Sequence, residues 1–161
     1  MNNGERDRGI INIELDSMIN IKNSRFHGCS SECKNYNMYV NAGTYINIEN
    51  TEFKNAAGGI YIYNVHTCNI HNSIFRDHDM ELLETTKYKE YVMKPGAMYG
   101  GAIYVSNVRN FNVENTIFKN NAVNEQGGAT YMSLYFENPK ATFKNVTFDN
   151  NFSFNEGHDL L

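Results

Sequence analysis

Apolar and polar residues alternate along five stretches of the chain, and one eight-residue pattern recurs in all five. In every copy the last residue is Phe, the residue three before it is Asn, and the residue five before it is apolar. The copies are residues 19–26, 46–53, 68–75, 111–118 and 141–148. An alternation with a period of two is typical of a β-strand and does not fit a helical face. The pattern therefore predicts a repeat protein built from strands.

The spacing of the copies indicates how the strands are arranged. Successive Phe residues are 27, 22, 43 and 30 positions apart, so the shortest repeat has 22 residues and the others carry insertions. A second predicted strand precedes each copy, and in three copies its central Tyr lies nine residues before the apolar position. In the last copy this distance is twelve, from Tyr131 to Phe143. We therefore predict an all-β fold, a parallel β-helix (solenoid) of about five coils, as a single domain over residues 1–161.

Equivalent side chains of stacked coils should lie about 4.8 Å apart. We expect the repeated Phe residues to stack in the core, and the repeated Asn residues to form an inward ladder at a bend. Glycine pairs such as Gly100 and Gly101 precede three of the strands, where they would provide positive φ or a close backbone approach at a corner.

Asn145 and Asn151 both begin an N-glycosylation pattern. Because Asn145 belongs to the inward ladder, Asn151 is the expected acceptor.

Two motifs together resemble a known family. Gly-Gly-Ala at 100–102 and 127–129 alternates with Phe-x-x-Asn at 118–121 and 148–151, which is similar to the repeats of polymorphic outer membrane proteins. This resemblance implies a right-handed β-helix of the pectate-lyase-like kind at the cell surface, or otherwise extracellular, that acts in adhesion. It implies a non-catalytic protein that binds a glycan or a surface protein. Gly157 would begin another coil, so we expect a piece of a longer protein, with uncapped coils that can associate end to end.

Composition excludes some classes of function. The net charge is -4, from 14 basic and 18 acidic residues without a basic stripe, so nucleic acid is not an expected partner. No apolar run is long enough for a transmembrane segment, so no membrane span is expected. No cofactor or metal motif is present, so no cofactor and no metal ion are expected.

Cys68 occupies an inward position of the repeat and is expected to be a core thiol. Cys29 and Cys33 lie close enough in sequence to pair in an oxidising compartment, and their redox state stays open.

One outward column contains the residue types of acid–base catalysis. Glu49, His71 and Glu114 occupy the same position of consecutive copies, and Lys22 and Lys144 flank them. Two carboxyls about 10 Å apart would suit glycoside chemistry, so these three residues are candidate catalytic residues of a fragment of a carbohydrate-active enzyme, a polysaccharide lyase or hydrolase. The alternative is a ladder of alternating surface charges.

A second outward column is aromatic, and its residues are the candidate ligand-binding residues: Tyr39, Tyr61, Tyr104 and Tyr131. Exposed aromatic rows can stack on sugar rings or contact a protein partner. The alternative is that the column only stabilises the stack, in which case the chain is a structural spacer. An insertion at 76–99 projects from the repeat and is either a further binding element or a solvated loop.

Overall fold

The computed structural model describes residues 11–14, 18–28, 35–80 and 99–160, and strands cover most of them. All pairings between these strands are parallel, and they form three sheets. Sheet A has seven strands: β1 (Ile11–Glu14), β2 (Met18–Lys22), β4 (Tyr36–Glu49), β6 (Gly58–His71), β8 (Ile103–Glu114), β11 (Thr130–Ser133) and β12 (Lys140–Lys144). Sheet B has five: β3 (Arg25–His27), β5 (Glu52–Lys54), β7 (Ile74–Arg76), β9 (Ile117–Lys119) and β13 (Thr147–Asp149). Sheet C pairs β10 (Ala122–Val123) with β14 (Phe152–Ser153).

The order of strands in the sheets defines the coils. Sheet B runs β13-β9-β7-β5-β3, with one strand from each of the five copies of the repeat. The long strands β4, β6 and β8 each bend at a residue with left-handed φ, which is Ala42, Asn64 or Asn107. In the last coil the chain leaves sheet A between β11 and β12, yet Tyr131 still pairs with Tyr104 and Phe143 with Val113. The predicted parallel β-helix of five coils, including its irregular last coil, is therefore confirmed.

Aromatic stacking along the axis fills much of the core. The repeated Phe rings lie 4.8, 4.8, 5.2 and 5.2 Å apart between centroids, from Phe26 to Phe148, and are nearly parallel. Phe53, Phe75 and Phe118 are fully buried. Each such contact contributes about 0.5–1.5 kcal/mol beyond the burial of apolar area. Cys68 is a free, buried thiol among these residues, as predicted, and burial raises its pKa.

The glycine pairs at 100–101 and 127–128 perform both predicted tasks, whereas the pair at 58–59 has no positive φ and provides only the close approach. Gly100 and Gly127 have φ of 64° and 73°. Residues other than Gly, Asn and Asp are strained in this region of φ. The second glycine of a pair lets coils pack closely, because a Cβ on Gly101 would lie 2.2 Å from the carbonyl oxygen of Gly128. Gly157 has φ of 66° and occupies the equivalent position at the start of the predicted further coil.

The asparagine ladder lies at a bend, between sheets A and B, as predicted. All five residues have φ between 49° and 51°, and they are Asn23, Asn50, Asn72, Asn115 and Asn145. The Asn50 Nδ2 donates to Asn23 Oδ1 at 3.2 Å, and Asn145 Nδ2 donates to Asn115 Oδ1 at 2.7 Å. The predicted inward direction is wrong, since all five side chains are exposed. The left-handed residue interrupts the strand alternation, so the residue after it takes the interior place.

That interior place holds a column of hydroxyls, which the sequence analysis missed. Thr51 and Ser73 are buried, and the Thr51 hydroxyl donates to the Glu49 carbonyl at 2.9 Å. The Ser73 hydroxyl donates to the His71 carbonyl at 2.8 Å and accepts the Thr51 backbone N–H at 3.2 Å. The signal was visible as Ser or Thr two residues before Phe in four of the five copies. These hydroxyls satisfy backbone groups at the corner that would otherwise be buried without partners.

A second asparagine position faces the interior. Asn121 Nδ2 donates to the Phe75 carbonyl at 3.1 Å and to Asn151 Oδ1 at 2.8 Å. Asn151 is only 8% exposed, and its Nδ2 donates to the Phe118 carbonyl at 3.1 Å. The expectation that Asn151 accepts a glycan is therefore wrong, because its amide nitrogen is buried and bonded. Asn145, by contrast, is the exposed asparagine of the two patterns.

Candidate functional site

The column of candidate catalytic residues is assembled in the predicted register. Glu49 pairs with His71 and His71 with Glu114 on adjacent strands. Lys22 Nζ lies 2.9 Å from Glu49 Oε2, and Lys144 Nζ lies 2.7 Å from Glu114 Oε1. His71 Nδ1 lies 3.7 Å from Glu114 Oε2. Each carboxylate thus has a cationic partner within the column.

These ion pairs limit the chemistry available to the column. The hydrogen bond from Lys22 lowers the pKa of Glu49, and the hydrogen bond from Lys144 lowers the pKa of Glu114. A glycosidase acid needs a carboxyl whose pKa is raised, so that it carries a proton at neutral pH. Both carboxyls here are held ionised, which favours the alternative of a surface charge ladder.

The predicted tyrosine column forms a continuous stack. Ring centroids lie 4.9 Å apart for Tyr39 and Tyr61, 4.5 Å for Tyr61 and Tyr104, and 5.4 Å for Tyr104 and Tyr131. The rings are within 17° of parallel, so each ring of the middle pair has both faces covered by neighbours. All four side chains are half-buried. Because stacking on a sugar needs an open ring face, Tyr61 and Tyr104 can offer a ligand only their edges.

Two further tyrosines enlarge this surface. The Tyr36 ring packs edge-on against Tyr61 at 5.6 Å, and its hydroxyl donates to the Tyr99 carbonyl at 2.9 Å. Burial raises the pKa of Tyr36, so this hydroxyl remains a donor. The Tyr99 ring contacts Tyr131 at 4.9 Å. We call the six residues the tyrosine face: Tyr36, Tyr39, Tyr61, Tyr99, Tyr104 and Tyr131.

The predicted insertion adjoins the tyrosine face. Arg76 ends strand β7, and Asp77 accepts a hydrogen bond from Asn120 at 3.0 Å within the regular corner, so the coil continues past the expected start of the insertion. Residues 81–98 lie outside the described part of the chain. The segment rejoins the coils at Tyr99, which pairs with Gln126 in an isolated bridge. Tyr99, the last residue of the predicted insertion, is therefore itself part of the tyrosine face.

A shallow groove, which the sequence analysis did not predict, runs along the corner between sheets A and B. It has a volume of about 740 Å³ and spans the first three coils. Its lining includes three rungs of the asparagine ladder and outward side chains of sheet B: Asn23, Asn50, Asn72, Arg25, Glu52 and Ile74. The sequence predicts the asparagine ladder but places its side chains inside the coils. A groove lined by these side chains was therefore not predicted.

Other candidate chemistry is limited among the described residues. They contain no cluster of three or more His, Cys, Asp or Glu able to hold a metal ion. In the same part of the chain, no helix has the length and apolar character needed to cross a membrane. Cys29 and Cys33 lie outside it.

Comparison with known proteins identifies a family without pointing to an activity. Searches of curated proteins and of solved structures gave no significant match. The family model described as the right-handed beta helix region matches residues 8–158. This span includes every strand of the three parallel sheets. The chain is therefore a member of the right-handed β-helix family.

Proposed function

We propose that the chain is a non-catalytic, adhesin-like binding segment of a cell-surface or secreted protein, and that it binds a glycan or a protein. The resemblance of the Gly-Gly-Ala and Phe-x-x-Asn motifs to the repeats of polymorphic outer membrane proteins supports this role. The observation that carries it is the tyrosine face, a cluster of six packed rings that includes Tyr99 at the end of the insertion.

The tyrosine face is suited to binding because it is already ordered. Tyrosine offers a large contact area with a polar tip, and it is enriched at protein interfaces for that reason. Stacking fixes the rings before a ligand arrives, which reduces the entropy lost on binding. The neighbouring outward column adds polar groups, with Asn41 and Tyr63 in register on adjacent strands. Recognition would use ring edges and hydroxyls.

The charge ladder supports a role without catalysis. Glu49 and Glu114 are each ion-paired to Lys, and both have lowered pKa values. The column then contains two bases and lacks the protonated carboxyl that glycoside hydrolysis requires.

A glycan array and a protein-capture screen with the whole chain test this function. The double variant Tyr61→Phe with Tyr104→Phe keeps the stack and removes two hydroxyls, so bound ligand should be held about tenfold less tightly. Tyr45→Phe is the matched control, because Tyr45 lies on the outer face of β4 but outside the tyrosine face.

Two results would contradict the proposal. If the double variant and the control bind the ligand equally well, the tyrosine face is not the binding site. Release of reducing sugar by the wild type, abolished by Glu114→Gln, would establish the carbohydrate-active alternative instead.

A further inference from the structure

The groove between sheets A and B is separate from the tyrosine face. Tyr39, Tyr61 and Tyr104 lie in the first half of their long strands, before the bends at Ala42, Asn64 and Asn107. The groove follows the second half, where the chain turns at the asparagine ladder. A ligand in the groove would therefore contact a different part of each coil.

The asparagine rungs supply hydrogen-bonding groups at regular intervals. Each amide has two N–H donors and a carbonyl acceptor, and Asn50 uses one N–H on Asn23. The side chains of Asn23, Asn50 and Asn72 are exposed and line the groove. They repeat once per coil, at about 4.8 Å along the axis. This repeat is close to the length of one hexose unit in an extended chain.

A fixed carboxylate lies on the opposite side of the groove. Glu52 Oε1 accepts a hydrogen bond from Arg76 Nε at 2.7 Å, and its Oε2 lies 3.1 Å from His27 Nε2. The His27 contact first, and then Arg76, lower the pKa of Glu52, so the group is an ionised acceptor held in one orientation. Glu52 and Arg25 are the ionisable side chains of the lining, and Arg25 Nε lies 3.9 Å from Glu52 Oε2. The charge of Arg76 beside them is balanced by Asp77 Oδ2 at 2.7 Å, so the charges at the groove cancel.

The groove also contains an apolar surface. Ile74 is 37% exposed and lies directly beside Glu52 in sheet B. A sugar ring has hydroxyls at its edge and C–H groups on its faces, so it needs polar groups and an apolar contact together. A neutral lining does not attract a polymer of uronic acids over an uncharged one.

We propose that this groove binds a neutral, linear oligosaccharide that lies along the helix axis with one sugar unit per coil. The site goes beyond the proposed function, because it requires neither the tyrosine face nor the insertion. An extended peptide is a competing occupant that the test separates.

The test measures binding by isothermal titration with hexasaccharides of β-1,4-linked glucose, mannose and xylose. A hexamer of galacturonic acid and an extended polar hexapeptide serve as the charged and peptide probes. At least one neutral hexasaccharide should bind, and more tightly than either other probe. Binding of the galacturonate or the peptide alone would overturn the proposal, as would no binding of any probe.

Asparagine variants assign the site. Asn50→Gly with Asn72→Gly removes two amides and keeps the left-handed backbone, which glycine adopts without strain. Affinity should fall at least fivefold. Asn115→Gly is the matched control, since Asn115 has the same φ but does not line the groove. Equal losses in the two variants would overturn the proposal.

A second pair of variants avoids any effect on the corner. Ile74→Arg places a long, charged side chain in the groove beside Glu52 and should abolish binding. Ile117→Arg is its control, because Ile117 is 40% exposed and pairs with Ile74 on the next coil outside the groove. Tyr61→Phe with Tyr104→Phe should leave this binding unchanged. If that tyrosine variant loses the hexasaccharide and Ile74→Arg retains it, the groove proposal fails while the proposed function stands.

Discussion

His78 is buried at a corner position that carries Asn121 and Asn151 in the later coils. Its Nδ1 accepts the backbone N–H of Ala56 at 3.3 Å. Burial is the main cause that lowers its pKa from 6.5 to about 4, so the folded protein holds the ring neutral. In the unfolded chain the same ring takes up a proton near pH 6.5.

A pH dependence of stability follows from this difference. Between pH 6.5 and about 4 the unfolded chain binds more protons at His78 than the folded protein does, so stability falls as the pH is lowered through that window. The loss reaches roughly 3 kcal/mol at its lower end. Thermal denaturation at pH 7, 5.5 and 4.5 should show a falling Tm.

His78→Asn isolates this contribution. Asn fits the corner because Asn121, at the equivalent place, donates to the Phe75 carbonyl. The variant should show a shallower fall of Tm than the wild type over the same pH range. If the two profiles have the same slope, His78 is not the group responsible.

At the level of elements, the corner between sheets A and B depends on a repeated left-handed residue. Its φ near 50° is costly for most side chains, but Asn tolerates it. Asn72→Ala should therefore lower the free energy of unfolding by about 1 kcal/mol, whereas Asn72→Gly should change it by only a few tenths. Urea denaturation measures both variants. Equal destabilisation by the two would show that the amide, and not the backbone conformation, is what matters.

The sequence was informative where one position has one structural role. The Phe at the end of each copy predicted the core stack, and the glycine pairs predicted the tight corners. Neither prediction required knowing which way the side chains of neighbouring positions point. Strict alternation from Ile48 placed Asn50 inside. The left-handed φ of Asn50 breaks that alternation, and Thr51 takes the interior place.

The candidate sites were predicted less completely than the fold. The register of Glu49, His71 and Glu114 followed from the repeat, but their ion pairs depend on side-chain conformations. Likewise, the spacing of Tyr61 and Tyr104 in the sequence predicted that they share a column. It could not predict the orientation of their ring planes, which determines the part of each ring that a ligand can contact.

At the scale of the whole molecule, the described helix ends in edge strands. Strands β3 and β13 are the outer members of sheet B, and edge strands offer backbone groups for pairing with another chain. End-to-end association therefore stays a prediction. In a head-to-tail contact Phe26 would stack on Phe148 of the next copy, while Lys22 would lie near Lys144 as a like charge. Salt should screen that repulsion and strengthen association.

Sedimentation velocity over a range of protein concentrations checks this. Higher oligomers should increase between about 0.05 M and about 0.5 M salt, because the screening length falls several-fold over that range. A monomer under all of these conditions would refute end-to-end association.

The stacked tyrosines have a consequence for spectroscopy. The sequence has 11 Tyr and no Trp, so tyrosine dominates its near-ultraviolet absorption and emission. Rings separated by 4.5–5.4 Å are close enough for their electronic transitions to couple, so the near-ultraviolet circular dichroism of the stack should differ from that of separated rings. The protein therefore contains its own optical reporter, whose signal follows the stacking of neighbouring coils without any added label.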